Sequence, residues 1–506
     1  MRKSVASKSL FLVYLLFSVS LLLFFEGSFA QSSQLVLEKE QHWETYGIGG
    51  TCIPGGHNLF LKDVDGDGLD EIITGGFMYW IAGEERTGSS APLKIWNWDG
   101  INLTLRKSRI WNTTGTSGFS VVHVADVDSD SDEEILTGGW LANETVRCAQ
   151  LVIWSWNGSD VAVQSSKELI DMKGANVRSI FVSDLDKDGK PEIITAGAIS
   201  NDTKSSAQLQ VWNLENDRFV LLESVEWCSL SDASAASVCA SDVDNDGEME
   251  IITSGYDCDL NNSKGQLRLW TWNGNDLAVK DSLEWQMTTG YMLNIAGNPL
   301  GNTIATALGT QDIDDDGRIE IVTGGFTYDG SRANAQIKIW RWDDDNASLK
   351  EVATADWHTM DINEVKSLSI DDVDSDGRQE IVTSGMTAPL GSFQSGAPEK
   401  GQLRVWGWDG NALTLKSNED WVAGNGTCAW NVATADVDTD GVVEIVTVGC
   451  MSLGALCDPD MRIWSIPQEP AVIPYESYTF WVAAGVVVVV AAVSATAFFL
   501  VRRKRH

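Results

Sequence analysis

Between two apolar ends the chain alternates hydrophobic and polar residues with a period of two. The clearest runs are Ile-Lys-Ile-Trp-Arg-Trp from Ile337, Leu-Arg-Leu-Trp-Thr-Trp from Leu267 and Leu-Arg-Val-Trp-Gly-Trp from Leu403. Alternation sends neighbouring side chains to opposite faces of a sheet, so these runs predict half-buried strands. No helical period interrupts them. The strands recur in sets of four, here lettered A to D. Strand A is a short run into an acidic turn, as at residues 121–125 and 177–183. Strand B leaves that turn as Glu71-Ile-Ile-Thr, Glu320-Ile-Val-Thr or Glu380-Ile-Val-Thr. Strand C carries the Trp-x-Trp runs, and strand D reads LTLRKSRIW from Leu103 or LAVKDSLEW from Leu277. The set returns about every 60 residues, a period that marks stacked or radial repeats.

The turn between A and B is the most regular feature. Carboxylates stand at positions 1, 3, 5 and 9 of seven loops: Asp63, Asp65, Asp67 and Glu71; Asp126, Asp128, Asp130 and Glu134; Asp184, Asp186, Asp188 and Glu192; Asp242, Asp244, Asp246 and Glu250; Asp312, Asp314, Asp316 and Glu320; Asp372, Asp374, Asp376 and Glu380; Asp436, Asp438, Asp440 and Glu444. Side-chain oxygens at alternate positions of a tight loop suit a hard cation such as Ca²⁺, and a glycine at position 6 permits the turn. Ser131 replaces that glycine in the second loop. Position 12 is always threonine, from Thr74 to Thr447, where an EF-hand needs an acid.

Seven sets of four antiparallel strands predict an all-β, seven-bladed β-propeller. The last set lacks a D strand, whereas residues 35–43 before the first loop carry the D pattern. Pairing that orphan with the last C strand would complete the ring, which then occupies residues 31–466.

On these residues the repeat resembles the FG-GAP/VCBS family, whose best-known members are the N-terminal propellers of integrin α subunits. The resemblance covers roughly residues 35–466. It implies a calcium-binding hairpin loop using positions 1, 3, 5 and 9 with a backbone carbonyl at 7, hence about seven structural Ca²⁺. Leg domains, an inserted domain and a signalling tail are missing, so an integrin-type heterodimer is not implied.

Most tryptophans occupy two repeated slots, the C strand and the end of D, and read as core packing. Seven of the eight cysteines (all but Cys239) map to connections between strands, which suggests disulfides bracing loops, with Cys228–Cys258 and Cys450–Cys457 as candidate pairs. Sequons at Asn102, Asn112, Asn143, Asn157, Asn201, Asn261, Asn346 and Asn425 are compatible with glycosylation.

The two ends read as targeting segments. Arg2, Lys3 and Lys8 precede an apolar run and a small-residue site at Ser28-Phe29-Ala30, predicting a signal peptide over residues 1–30. Residues 480–501 are uncharged and are followed by Arg502-Arg503-Lys504-Arg505, predicting a transmembrane helix with a cytoplasmic basic tail at 502–506. Residues 467–479, with three prolines, form a linker. Strand direction then turns the acidic loops toward the bilayer. The net charge of −36 disfavours nucleic acid as a partner.

The large insertions fall in the B–C and D–A connections, at residues 290–304, 389–400 and around Tyr79 and Trp80, while the C–D spacing is lengthened only slightly, between Trp340 and Trp357. Insertions confined to one face of a repeat array mark a binding face. The expectation is a membrane-anchored extracellular calcium-binding propeller that recognises or adheres to a protein or glycan. A propeller enzyme acting on polysaccharide and a lectin-like surface coat are the alternatives. No catalytic residues are assigned: His42, His57, His123 and His358 do not cluster, and no nucleophile elbow is present.

Overall fold

A computed structural model describes residues 34–467, apart from 44–50, 53–57, 83–84, 112–114, 144–146, 170–173, 202–203, 260–262, 287–291, 294–298, 301–302, 330, 390–397 and 453–456. The targeting segments, nearly all of the linker and most of the 389–400 insertion therefore lie outside the described residues. Among the described residues every element is a strand, and no helix is long and apolar enough to cross a membrane.

The second repeat shows the plan. Strand A (Thr116–Ala125), B (Glu134–Ala142), C (Arg147–Trp156) and D (Val161–Leu169) pair antiparallel in chain order. The same ladder recurs in each repeat, giving a β-propeller-like fold of four-stranded units. The strands are longer than the alternation predicts, because A carries a bulge that hides its early half from a period-two reading. In the second unit the register shifts between Phe119 and Val121, and the same shift recurs at Val177/Ser179, Ala235/Ser237 and Val365/Ser367. A glycine of B faces each bulge. A Cβ on Gly139 would lie 2.0 Å from the Gly118 carbonyl oxygen, so no side chain fits there. This close approach explains the second glycine of the Thr-Gly-Gly runs.

The strand Val36–His42 lies antiparallel to Cys457–Ser465, with Glu40 opposite Arg462 and His42 opposite Asp460. It is the outer strand of the last unit. One apolar cluster joins Leu59, Ile72 and Trp96 of the first unit to Val446, Met461 and Ile463 of the last. Comparable clusters fill each seam between consecutive units. The core is thus a series of seams, with burial of apolar side chains holding neighbours together.

Tryptophans build these seams. A tryptophan at the end of D packs on the first C-strand tryptophan of the next unit: Trp111 on Trp154 at 5.5 Å, Trp285 on Trp340 at 5.1 Å, Trp421 on Trp464 at 5.2 Å. Trp43, from the chain's first strand region, packs on Trp96 at 5.0 Å and continues the series. The second unit ends D in Leu169, which sits in the seam with Ile193 and Trp212.

Two insertions have structure of their own. After the first B strand, Phe77–Ala82 folds back on Glu85–Trp98 as a hairpin, with Thr51–Cys52 added at its edge. Before the fifth unit, Met292–Leu293 pairs with Pro299–Leu300.

The cysteines stand differently from expectation. Cys148 in strand C, Cys258 and Cys450 in B strands and Cys428 in an A strand are all within strands, which overrun the supposed connections. Cys228 and Cys258 are free thiols, as is Cys450, while Cys428 and Cys450 are register partners across A and B of the last unit.

Candidate functional site

Each acidic loop folds on its own backbone. The position 1 aspartate accepts hydrogen bonds from the backbone N–H of positions 5 and 6: Asp67 and Gly68 donate to Asp63 at 3.2 and 2.8 Å, and Asp440 and Gly441 to Asp436 at 3.0 and 3.0 Å. The position 5 aspartate caps the turn by accepting from position 7, as Asp188 does from Lys190 at 2.8 Å. The position 9 glutamate is buried at the base and accepts from the N–H of position 2, as Glu192 does from Leu185 at 2.9 Å. Positions 4 and 6 are both left-handed. Ser131 adopts φ 77°, close to the 88° of Gly68, so the second loop keeps the shape of the others.

This folding sends the remaining carboxylate oxygens to one point. Ligand-capable atoms of Asp63, Asp65 and Glu71 lie within 4.8 Å of one another, as do those of Asp126, Asp128 and Glu134, and of Asp184, Asp186 and Glu192. Several of these oxygens are buried without a hydrogen-bond partner, among them Asp65 Oδ1, Glu71 Oε1 and Asp184 Oδ1. Burial, reinforced by the neighbouring aspartates against the N–H of position 2, pushes Glu71, Glu134 and Glu192 up to about 7 and Glu444 to about 8. Buried, mutually repelling, orphaned oxygens fit an oxygen-seeking cation.

The seven loops are not equivalent, and the alternation along strand D does not disclose this. In three of them a basic side chain already occupies the point of convergence. Lys280 Nζ lies 2.8 Å from Glu250 and also contacts Asp244. Lys416 Nζ lies 2.9 Å from Asp374, 3.0 Å from Asp376 and 2.6 Å from Glu380. Arg341 pairs with Asp314 and Glu320 and lies 3.2 Å from Asp316. Lys280 and Lys416 hold the fourth place of their D patterns, where the other units carry Arg106, Gln164, Leu222 and, in the closing strand, Glu38. Arg341 instead comes from strand C, between Trp340 and Trp342. Arg106 is only loosely engaged, 3.9 Å from Asp65. Glu38 adds a further negative charge that raises Glu444, after burial and Asp438.

The invariant threonine at position 12 has a different task. Its hydroxyl accepts the indole N–H of the first C-strand tryptophan: Trp154 to Thr137 at 2.9 Å, Trp212 to Thr195 at 3.0 Å, Trp340 to Thr323 at 2.9 Å, Trp464 to Thr447 at 3.1 Å. It locks B to C rather than binding a metal.

The A strands of all seven units line one cavity of about 550 Å³, with Leu61, His123, Cys239, Thr310, Ser369 and Thr434 from different units on its wall. His123 is held between Phe60 and Phe181, with ring centroids 4.8 and 5.7 Å away.

A propeller-like array of four-stranded units with an acidic hairpin loop in each defines the class of protein. Residues 184–253, which span the third acidic loop and the fourth, match the FG-GAP-like repeat family. Two solved structures of Sqt1 from Chaetomium thermophilum are similar to the chain at 10% and 11% identity, each covering 83% of it and 99% and 98% of their own chains, both with a TM-score of 0.42. No curated protein sequence matches the chain.

Proposed function

We propose that the repeats close into a seven-bladed propeller that acts as an interaction module, presented outside the cell, and that calcium staples some of its blades. The observation that carries the recognition reading is the confinement of added structure, the Phe77–Ala82 hairpin and the Met292–Leu293 turn, to the face opposite the acidic loops. A rigid ring bearing variable loops on one side is suited to binding a protein or glycan partner there. Secretion through residues 1–30 and anchoring through residues 480–501 belong to the same reading.

Calcium, where bound, would neutralise and crosslink the crowded carboxylates of a loop. The sets at Asp63, Asp126, Asp184 and Asp436 fit it best, because no basic side chain is seated among their carboxylates as Lys280, Arg341 and Lys416 are in the other three. Lys280, Arg341 and Lys416 serve the same electrostatic purpose in the other three loops. On this reading about four loops take calcium while Lys280, Arg341 and Lys416 stay in place, and seven do so when those side chains swing aside.

The test uses residues 31–466 as a soluble probe on cells or matrix. Replacing residues 78–88 by a short turn, which spares the buried Phe77, Ser89 and Ser90, is expected to abolish binding while leaving the melting temperature unchanged. Binding that survives this replacement and is lost on altering the turn at Gly410 would place recognition on the acidic face and overturn the reading.

A further inference from the structure

The chain carries twice as many acidic as basic residues, 72 to 36, yet on the face opposite the acidic loops one cleft reverses the balance. It has a volume of about 430 Å³ and lies where the second, third and fourth units meet. Arg147 enters it from the start of strand C of the second unit, Arg178 from strand A (Asn176–Ser183) of the third, and Lys204 from the third unit's B–C turn. Asp232 is the one acidic side chain among the described residues of its wall.

Three features show a cleft built to hold something negative. Among the described residues none of the three cations forms an ion pair, and Lys204 is anchored only by a hydrogen bond from Nζ to the Cys228 carbonyl oxygen at 3.2 Å. Arg178 and Tyr256 lie together on the wall, and the Arg178 Nε is buried and has no partner. A buried guanidinium N–H without an acceptor is costly, and a ligand oxygen would relieve it. The walls are fixed by backbone bonds within and between units: Ser200 N–H donates to Gly174 O at 3.3 Å and Ser231 N–H to Cys258 O at 3.1 Å, while Ser205 N–H donates across to Ser231 O of the next unit at 3.2 Å.

We propose that this cleft binds the carboxylate of an acidic sugar unit, such as a uronic acid within a polysaccharide. Guanidinium forks match a carboxylate in two-point geometry. The serine hydroxyls and the Asn176 amide beside them offer partners for sugar hydroxyls, and Asp232 accepts from a hydroxyl while repelling a second negative charge. The volume suits one or two sugar rings. The inference specifies a ligand class for the recognition face proposed above, but the cleft is separate from both insertions and stands or falls by itself.

The test is titration calorimetry on residues 31–466 with sodium glucuronate, glucose and inorganic phosphate. Glucuronate is expected to bind, glucose not measurably, and phosphate more weakly than glucuronate. Loss of one charged hydrogen-bonding partner lowers affinity by about tenfold or more, so Arg178→Gln should do so. Because Arg178 is partly buried, the exposed Arg147→Gln and Lys204→Gln variants are measured as well, with melting temperature and calcium content as controls for folding. Equal binding of glucose and glucuronate, no heat with glucuronate, or unchanged affinity in all three variants overturns the proposal. Phosphate binding tighter than glucuronate assigns the cleft to free phosphate and equally overturns it. Loss of glucuronate binding with partner binding intact, or the converse, separates this site from the insertion-bearing surface.

Discussion

The indole N–H of Trp154 donates to the hydroxyl of Thr137 at 2.9 Å, both side chains being buried. In the sixth unit the equivalent Trp406 and Thr383 are not bonded, and each is left without a partner. Thr137→Val keeps shape and removes the acceptor, so the orphaned indole should cost about 1–3 kcal/mol. Thr383→Val removes a hydroxyl that is already buried without a partner and should cost nothing or stabilise. Urea unfolding of the two variants compares them directly, and equal losses would show that the bond is not what selects threonine.

The tethered cations make calcium content a sharp measurement. Lys416→Gln frees Asp374, Asp376 and Glu380 from their ammonium partner. Elemental analysis after equilibration should show one more calcium than in wild type, and Gln164→Lys in the second unit should show one fewer. Seven ions in the wild-type protein would show instead that Lys280, Arg341 and Lys416 swing aside when metal is present.

Ser131 offers a stability test without metal. A left-handed non-glycine residue costs about 1–2 kcal/mol, while glycine gives back about 0.5–1 kcal/mol in chain entropy. Ser131→Gly should therefore stabilise the chelated protein by up to about 1 kcal/mol, read as a higher melting temperature.

Asp329 supplies a pH dependence away from the acidic loops. Burial opposes its ionisation, but hydrogen bonds from the Ser331 hydroxyl, the backbone N–H groups of Arg332 and Ser331, and the Asn334 amide prevail and hold the carboxyl well below its ordinary range. A depressed folded-state pKa gives stability that is present above the unfolded value, about 3.9, and lost as pH falls toward the folded one. The melting-temperature difference between wild type and Asp329→Ala should therefore be constant from pH 7 to 5 and shrink below pH 4. A difference that grows on acidification would contradict this assignment.

Much of the strand plan was legible because period-two alternation and the Trp-x-Trp runs report directly on burial. The occupants of the acidic loops were not. Lys280 lies 30 residues beyond Glu250 and reaches it only because strand D pairs back toward the loop. The bulge between Leu269 and Trp270 in the C–D ladder shifts which D residues face inward, so simple alternation misplaces them. Comparing the fourth place of the D patterns would have exposed Lys280 and Lys416, but Arg341 sits in another strand and leaves no such signal. The cysteine positions were misread for a related reason, since bulged strands extend past the points where alternation fails.

Removing residues 34–43 takes away the outer strand of the last unit, the Arg462 to Glu40 ion pair and the Trp43–Trp96 contact. The uncovered Cys457–Ser465 strand becomes an open edge, which pairs readily with other chains. Size-exclusion chromatography should show association or loss of the monomer. A monomer with unchanged melting would mean that the strand contributes little.

That same pairing sets a clock on biogenesis. Arg462 and Glu40 are separated by 422 residues. At synthesis rates of about 5–20 residues per second, the first strand emerges roughly 20–85 s before its partner. Throughout that interval a strand-forming segment with a terminal tryptophan waits unpaired while the intervening units fold. The last contact to form is thus the one between the oldest and the youngest parts of the chain, so a ribosome that stalls late releases an open, adhesive arc rather than a slightly shortened ring.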